Sequence, residues 1–152
     1  MLAGPMRASP AQLRLGLSRH YDPVLVGLAQ AMEHTGSWCD EVRDMVASGA
    51  LLWVWDLSTT PSRQHLRFWI EELRDPGSVR SLALPEVIER VVGKQTQAEL
   101  MATTVGRILQ MHPQQRKQLI SAGLLTARRD GHPFWVTRQS VVDLLSARWL
   151  GR

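Results

Sequence analysis

The 152 residues hold one cysteine, one tyrosine, two phenylalanines and two lysines, and these scarcities exclude several classes of protein. A single cysteine, Cys39, rules out an internal disulfide framework and any multi-cysteine zinc site. No run of 18 apolar residues is present, so no segment reads as a membrane-spanning helix. The opening MLAGPMRASPAQLRLGL lacks the basic start, long apolar stretch and small-residue cleavage site of a secretory signal, so the cytoplasm is the expected compartment. Neither G-x-x-x-x-G-K nor G-x-G-x-x-G occurs, which removes the phosphate loop of a nucleotide-driven motor or a dehydrogenase; no cofactor is expected. Internal repeats and low-complexity tracts are also missing, so solenoids and arrays drop out.

Metal and catalytic chemistry find little support. His20, His34, His65, His112 and His132 do not fall at the i, i+4 spacing of a metal site, and only His34 comes near Cys39. Cys39 beside Asp40 sits in a helical stripe with Trp38 and Val42, the setting of a packing residue rather than a nucleophile. Asp56, Glu71, Glu72 and Asp75 form no nuclease-like spacing, since no acidic residue is followed two places on by lysine. The chain reads as a non-enzyme without a metal.

What is present is hydrophobic residue, at 44%, and arginine, which supplies sixteen of the eighteen basic side chains. The first is enough for a real core. The second suits bidentate contact with phosphate or guanine, although a GC-rich genome yields arginine too. Charge is uneven along the chain. Residues 1–93 carry nine basic and eleven acidic side chains, about −2, whereas residues 94–152 carry nine and three, about +6. A boundary at Gly93-Lys94 divides the chain into an N-terminal α+β unit, 1–93, and a basic unit, 94–152.

In the first unit, Asp22-Pro23 reads as the cap and first position of a helix running to about residue 33, with Val24, Leu25, Leu28, Ala31 and Met32 as its stripe. Ser37 reads as the cap of a helix over 38–47, striped by Trp38, Val42, Met45 and Val46. LLWVWDL, 51–57, alternates as a strand. Residues 61–74 fit either a helix (Leu66, Trp69, Ile70, Leu73) or a strand paired back on 51–57 (Leu66, Phe68, Ile70), and Thr60-Pro61 with Asp75-Pro76-Gly77 as ends favours the helix. A short extended stretch over 78–84 and a helix over 85–92 complete the unit. Trp53, Trp55, Phe68 and Trp69 would serve as a stacking platform for single-stranded nucleic acid or as core, and the acidic balance favours core.

The basic unit carries the functional argument. TVGRIL, a turn through Gln110-Met111-His112-Pro113, and QQRKQLISAGLL ended by Gly123 predict two short helices joined tightly. Ile108, Leu109, Leu119, Ile120, Leu124 and Leu125 would lock them together, leaving Gln114, Gln115, Arg116, Lys117 and Gln118 outward. Such a face fits the major groove, where arginine and lysine read guanine and glutamine reads adenine. Strands over 125–129 and 134–137, turned by Asp130-Gly131, predict a hairpin flanked by Arg128, Arg129 and Arg138, cations placed to meet phosphate. Thr137 would cap a closing helix over 138–149 that buries Val141, Val142, Leu144, Leu145 and Trp149.

Through LISAGLL, the RRDGHPFWVTR hairpin and VVDLL, about 50 residues resemble the winged helix-turn-helix of excisionase-like and MerR-type DNA-binding domains. The turn QMHPQQ departs from the small Val-Ser type turn common in those families. The resemblance implies a mainly helical α+β protein whose helix 113–122 reads the major groove and whose wing 125–138 touches the backbone. Gln114, Gln115, Arg116 and Lys117 would lie on the recognition helix, and Arg128, Arg129 and Arg138 on the wing or its flank. Double-stranded DNA is the expected partner, for a transcriptional regulator or a recombination or mobile-element accessory factor. The first unit would supply a homodimer contact or a protein partner, and no membrane is involved. The competing class is a phage- or plasmid-type adaptor whose winged helix contacts protein.

Overall fold

The computed structural model describes residues 23–60, 64–93, 97–128 and 135–151, an α+β fold with two small antiparallel sheets. The chain enters as β1 (Leu25–Val26), followed by α1 (Leu28–Thr35) and α2 (Cys39–Ser48). Next come β2 (Val54–Asp56), β3 (Leu66–Trp69) and the short helices α3 (Ile70–Arg74) and α4 (Pro76–Val79). The order continues α5 (Leu84–Val92), β4 (Glu99–Met101), α6 (Ala102–Ile108), α7 (Pro113–Ser121), β5 (Ala127–Arg128), β6 (Trp135–Thr137) and α8 (Arg138–Arg148).

Five expectations for the first half change. The segment at 66–69 is a strand, not a helix: β3 lies centrally in the order β1-β3-β2, pairing Val54 with Phe68, Trp55 with Arg67 and Asp56 with Leu66. Its neighbours satisfy its backbone on both edges, and its two faces bury different partners. Val54, Leu66 and Phe68 face one cluster with Val26, Ala31 and Val42 under α1 and α2, while Trp53, Trp55 and Trp69 face a second and larger cluster. Two-sided burial of this kind erases the simple alternation by which a strand is recognised. Helix begins at residue 70, so the second half of the ambiguous segment is helical after all. Thr60 is the last described residue before that segment, and Pro61 lies outside the described residues.

The first helix starts later than Asp22-Pro23 suggests, with Gly27 as its cap, because Leu25 and Val26 pair with Trp69 and Phe68; Asp22 itself lies outside the described residues. Trp38 caps α2 in place of Ser37, its backbone N–H donating to Glu41 Oε1 at 2.8 Å, and its indole is 77% exposed rather than part of the apolar stripe. Within 78–84, Ser78 and Val79 belong to helix α4 instead of an extended stretch. Of 51–57 only Val54–Asp56 is strand; Leu51, Trp53 and Leu57 are nevertheless buried beside it.

A buried carboxylate organises this half. Glu72 is 1% exposed, and its oxygens accept from Leu52 N at 2.9 and 3.1 Å and from Trp53 N at 2.9 Å. Burial pushes its carboxyl up, against these backbone donors and the Arg80 charge, which pull the other way. The irregular residues before β2 thereby keep their N–H groups satisfied, as buried backbone requires.

The apolar core does not break at Gly93. The larger cluster joins Leu25, Trp53, Trp55 and Trp69 to Val87, Val91, Leu100, Val105, Leu119, Val136, Val141 and Leu145. Trp55 Nε1 donates to Leu145 O at 2.8 Å, Trp149 Nε1 to Leu52 O at 2.9 Å, and Leu150 N to Val54 O at 2.9 Å. Trp149, just past the end of α8 and half-buried, stacks on Trp53 at 5.2 Å and 17°. Helix α5 packs against α8. Among the described residues no helix is long and apolar enough to cross a membrane.

Candidate nucleic-acid interface

In the C-terminal half, β4 leads into α6 and α7, and β5 and β6 follow, pairing in the order β4-β6-β5. The inward row of this sheet is Leu100, Val136 and Ala127; the outward row is Met101, Trp135 and Arg128. Residues 129–134, where the Asp130-Gly131 turn and Arg129 are expected, lie outside the described residues. Thr137 caps α8 as its sequence predicts, Oγ1 accepting from Ser140 N at 3.3 Å.

The turn between α6 and α7 is closed by an unusual residue. Gln110 has φ 51°, a left-handed conformation that glycine usually fills, and Met111 N returns to Gly106 O at 2.7 Å. The glutamine side chain accounts for its presence. Its Oε1 accepts from Gly27 N at 2.8 Å and its Nε2 donates to Gln30 Oε1 at 2.8 Å, tying the turn to the start of α1. From β3, Arg67 donates through Nε to Leu109 O and through Nη2 to Gln110 O, each at 2.9 Å. A cation thus sits on carbonyls that the end of α6 leaves unpaired. Burial lowers the pKa of Arg67 from its ordinary value.

Helix α7 starts on a reciprocal cap. His112 Nδ1 accepts from Gln114 N at 3.2 Å, while His112 N donates to Gln115 Oε1 at 3.2 Å, with Pro113 in the first turn. At its other end Gly123, φ 78°, follows the helix, and Leu124 N bonds to Leu119 O at 2.9 Å. Leu119 is the anchor of the buried face.

The seven candidate contacts separate into three groups. Gln114 and Lys117 are exposed on α7, together with Gln118. Gln115, Arg116, Arg128 and Arg138 each serve an internal contact. Gln115 completes the cap. Arg116, half-buried rather than outward, donates through Nη1 to Ala102 O at 3.1 Å and lies so close to Gly106 that a Cβ there would stand 2.8 Å from it. Arg128 grips Glu99 across the sheet with two bonds of 3.0 and 3.1 Å. Arg138 joins the start of α8 to the end of α5 through Gly93 O at 3.2 Å. Arg129 forms the third group, outside the described residues.

Sequence reading gave Arg67 no role, placed Gln110 only as a turn residue and weighed His65 only as a metal ligand; their contacts depend on pairing between segments distant in sequence and not on any local pattern. His65 Nδ1 lies 3.2 Å from Gln115 Nε2, placing the end of the first hairpin against the first turn of α7. Among the described residues no group of three or more His, Cys, Asp or Glu could hold a metal ion. Comparison with protein-family models, with curated proteins and with solved structures gives no match.

Proposed function

We propose that residues 84–148 form a winged helix-turn-helix unit that binds duplex DNA, with α7 in the major groove and the β5-β6 hairpin along the backbone. The observation that carries this reading is topological. A helix, a strand, two helices joined by a tight turn and then a hairpin whose second strand pairs with the first strand, in the order β4-β6-β5, is the arrangement that presents one helix beside one wing. The capped helix presents Gln114, Lys117 and Gln118 outward, a set able to read adenine and guanine edges and to meet phosphate. The excess of positive charge after residue 93 supplies long-range attraction to a polyanion. On this reading the protein is a transcriptional regulator or a recombination or mobile-element accessory factor of the cytoplasm, and its first half fixes the orientation of the DNA-reading turn through Arg67 and through Gly27 and Gln30, which bond Gln110.

One observation favours a second reading, an adaptor whose winged helix contacts protein: Arg116, Arg128 and Arg138 all carry internal bonds. Fluorescence anisotropy of the full chain with random-sequence duplex at two salt concentrations separates the readings. DNA binding predicts an affinity that falls steeply as salt rises, and absence of binding at the lower salt contradicts it.

A further inference from the structure

We infer that His65, at the end of the β2-β3 hairpin, belongs to the same duplex-facing surface as α7 and donates its Nε2–H to a backbone phosphate. The inference rests on the DNA-binding reading and adds to it a contact from the other half of the chain.

The argument is one of hydrogen-bond direction. His112 N is a backbone donor, so the Gln115 atom that it meets at 3.2 Å must be the carbonyl oxygen, as placed. The other end of the same amide is then NH2, which has only hydrogens to offer. It faces His65 Nδ1 at 3.2 Å, so Nδ1 accepts. A neutral imidazole accepting at Nδ1 carries its proton on Nε2. Among the described residues Nε2 has no hydrogen-bond partner, and it is not one of the buried unpartnered atoms. The Nε2–H is thus a donor with no partner among the described residues, on the ring edge away from the one that meets Gln115 on α7.

The residue is also held in place. Its backbone N–H donates to Asp56 Oδ1 at 3.1 Å, its carbonyl accepts from Leu57 N at 3.0 Å, and the ring is fixed by Gln115. The Asp56 carboxylate is occupied by Ser58 N and His65 N and faces Arg148, so its charge is partly answered within the hairpin. A preorganised donor costs little side-chain entropy on binding. Phosphates flank the start of a helix lying in the major groove, and about half to two-thirds of protein–DNA hydrogen bonds go to phosphate and sugar. Gln64, which precedes His65, is exposed and polar.

The test uses the full chain, random-sequence duplex and two measurements. Long-range 1H–15N spectra of the free protein should show His65 protonated at Nε2 only, with that resonance moving when duplex is added. In anisotropy titrations His65→Ala should weaken binding roughly threefold to tenfold, by the same factor at both salt concentrations, because a neutral donor releases no counterion. Wild-type binding with an unmoved His65 resonance and an undiminished His65→Ala affinity would overturn the inference while leaving the DNA-binding reading intact. Failure of the wild-type chain to bind duplex would remove both.

Discussion

Replacing Arg67 by alanine removes the link between β3 and the turn that sets α7. The guanidinium bonds Leu109 O and Gln110 O at 2.9 Å and, within its own strand, Leu66 O at 2.9 Å. Bonds from a charged donor contribute about 1.5–3 kcal/mol each, but the Gln110 carbonyl is exposed and water will replace its partner, so about 2–4 kcal/mol is the expected loss. For a chain of this size that corresponds to a fall in melting temperature of roughly 5–15 °C. Arg67→Lys, which keeps the charge but not the fork, should fall between. Arg43→Ala is the control: Arg43 is exposed, with no hydrogen bond among the described residues, and the change should stay within about 0.5 kcal/mol. Thermal unfolding followed by circular dichroism reads all three. Arg67→Ala melting together with Arg43→Ala would refute the clamp.

Glu72→Ala strands the buried N–H of Trp53 and the half-buried N–H of Leu52 and should cost about 3 kcal/mol in denaturant unfolding, whereas Trp38→Ser, at an exposed side chain, should change stability by less than about 0.5 kcal/mol. For Asp56, burial pushes the carboxyl up, but hydrogen bonds from Ser58 and His65 and the charge of Arg148 outweigh it, leaving the folded pKa below its ordinary value. A depressed carboxylate stabilises the fold above that ordinary value and ceases to do so as pH falls through the folded pKa. Asp56→Asn should therefore lose stability at neutral pH and show a shallower acid limb in melts below about pH 4. Because Trp55, Trp149 and Arg148 bond across the boundary at residue 93, the fragment 94–152 alone should give the poorly dispersed NMR spectrum of an unfolded chain.

Local chemistry made the C-terminal half readable. Pro113 and Gly123 bound α7, Thr137 caps α8, and Trp135–Thr137 forms a short strand with Ala127–Arg128, all within a few residues of where composition puts them. The first half resisted because its strands are central or very short, and their assignment depends on partners distant in sequence. Leu25–Val26 is a strand only because Trp69 and Phe68 lie opposite. Trp53, Trp55 and Trp69 signalled a core, but no pattern in their spacing says that α8 and Trp149 cover it. The exposed face of α7 was legible as helical spacing. What each arginine does was not, since Arg116 turns toward Ala102 and Arg128 toward Glu99 for reasons of tertiary geometry.

The most direct test of the DNA-binding reading is the salt dependence of duplex affinity for three full-length proteins: wild type, Lys117→Ala on the exposed face of α7, and Arg43→Ala, an exposed cation on α2. If α7 lies against DNA, Lys117→Ala weakens binding and lowers the slope of log affinity against log salt by about one, while Arg43→Ala leaves both unchanged. Equal slopes for all three proteins, or no duplex binding by the wild type, would contradict the account.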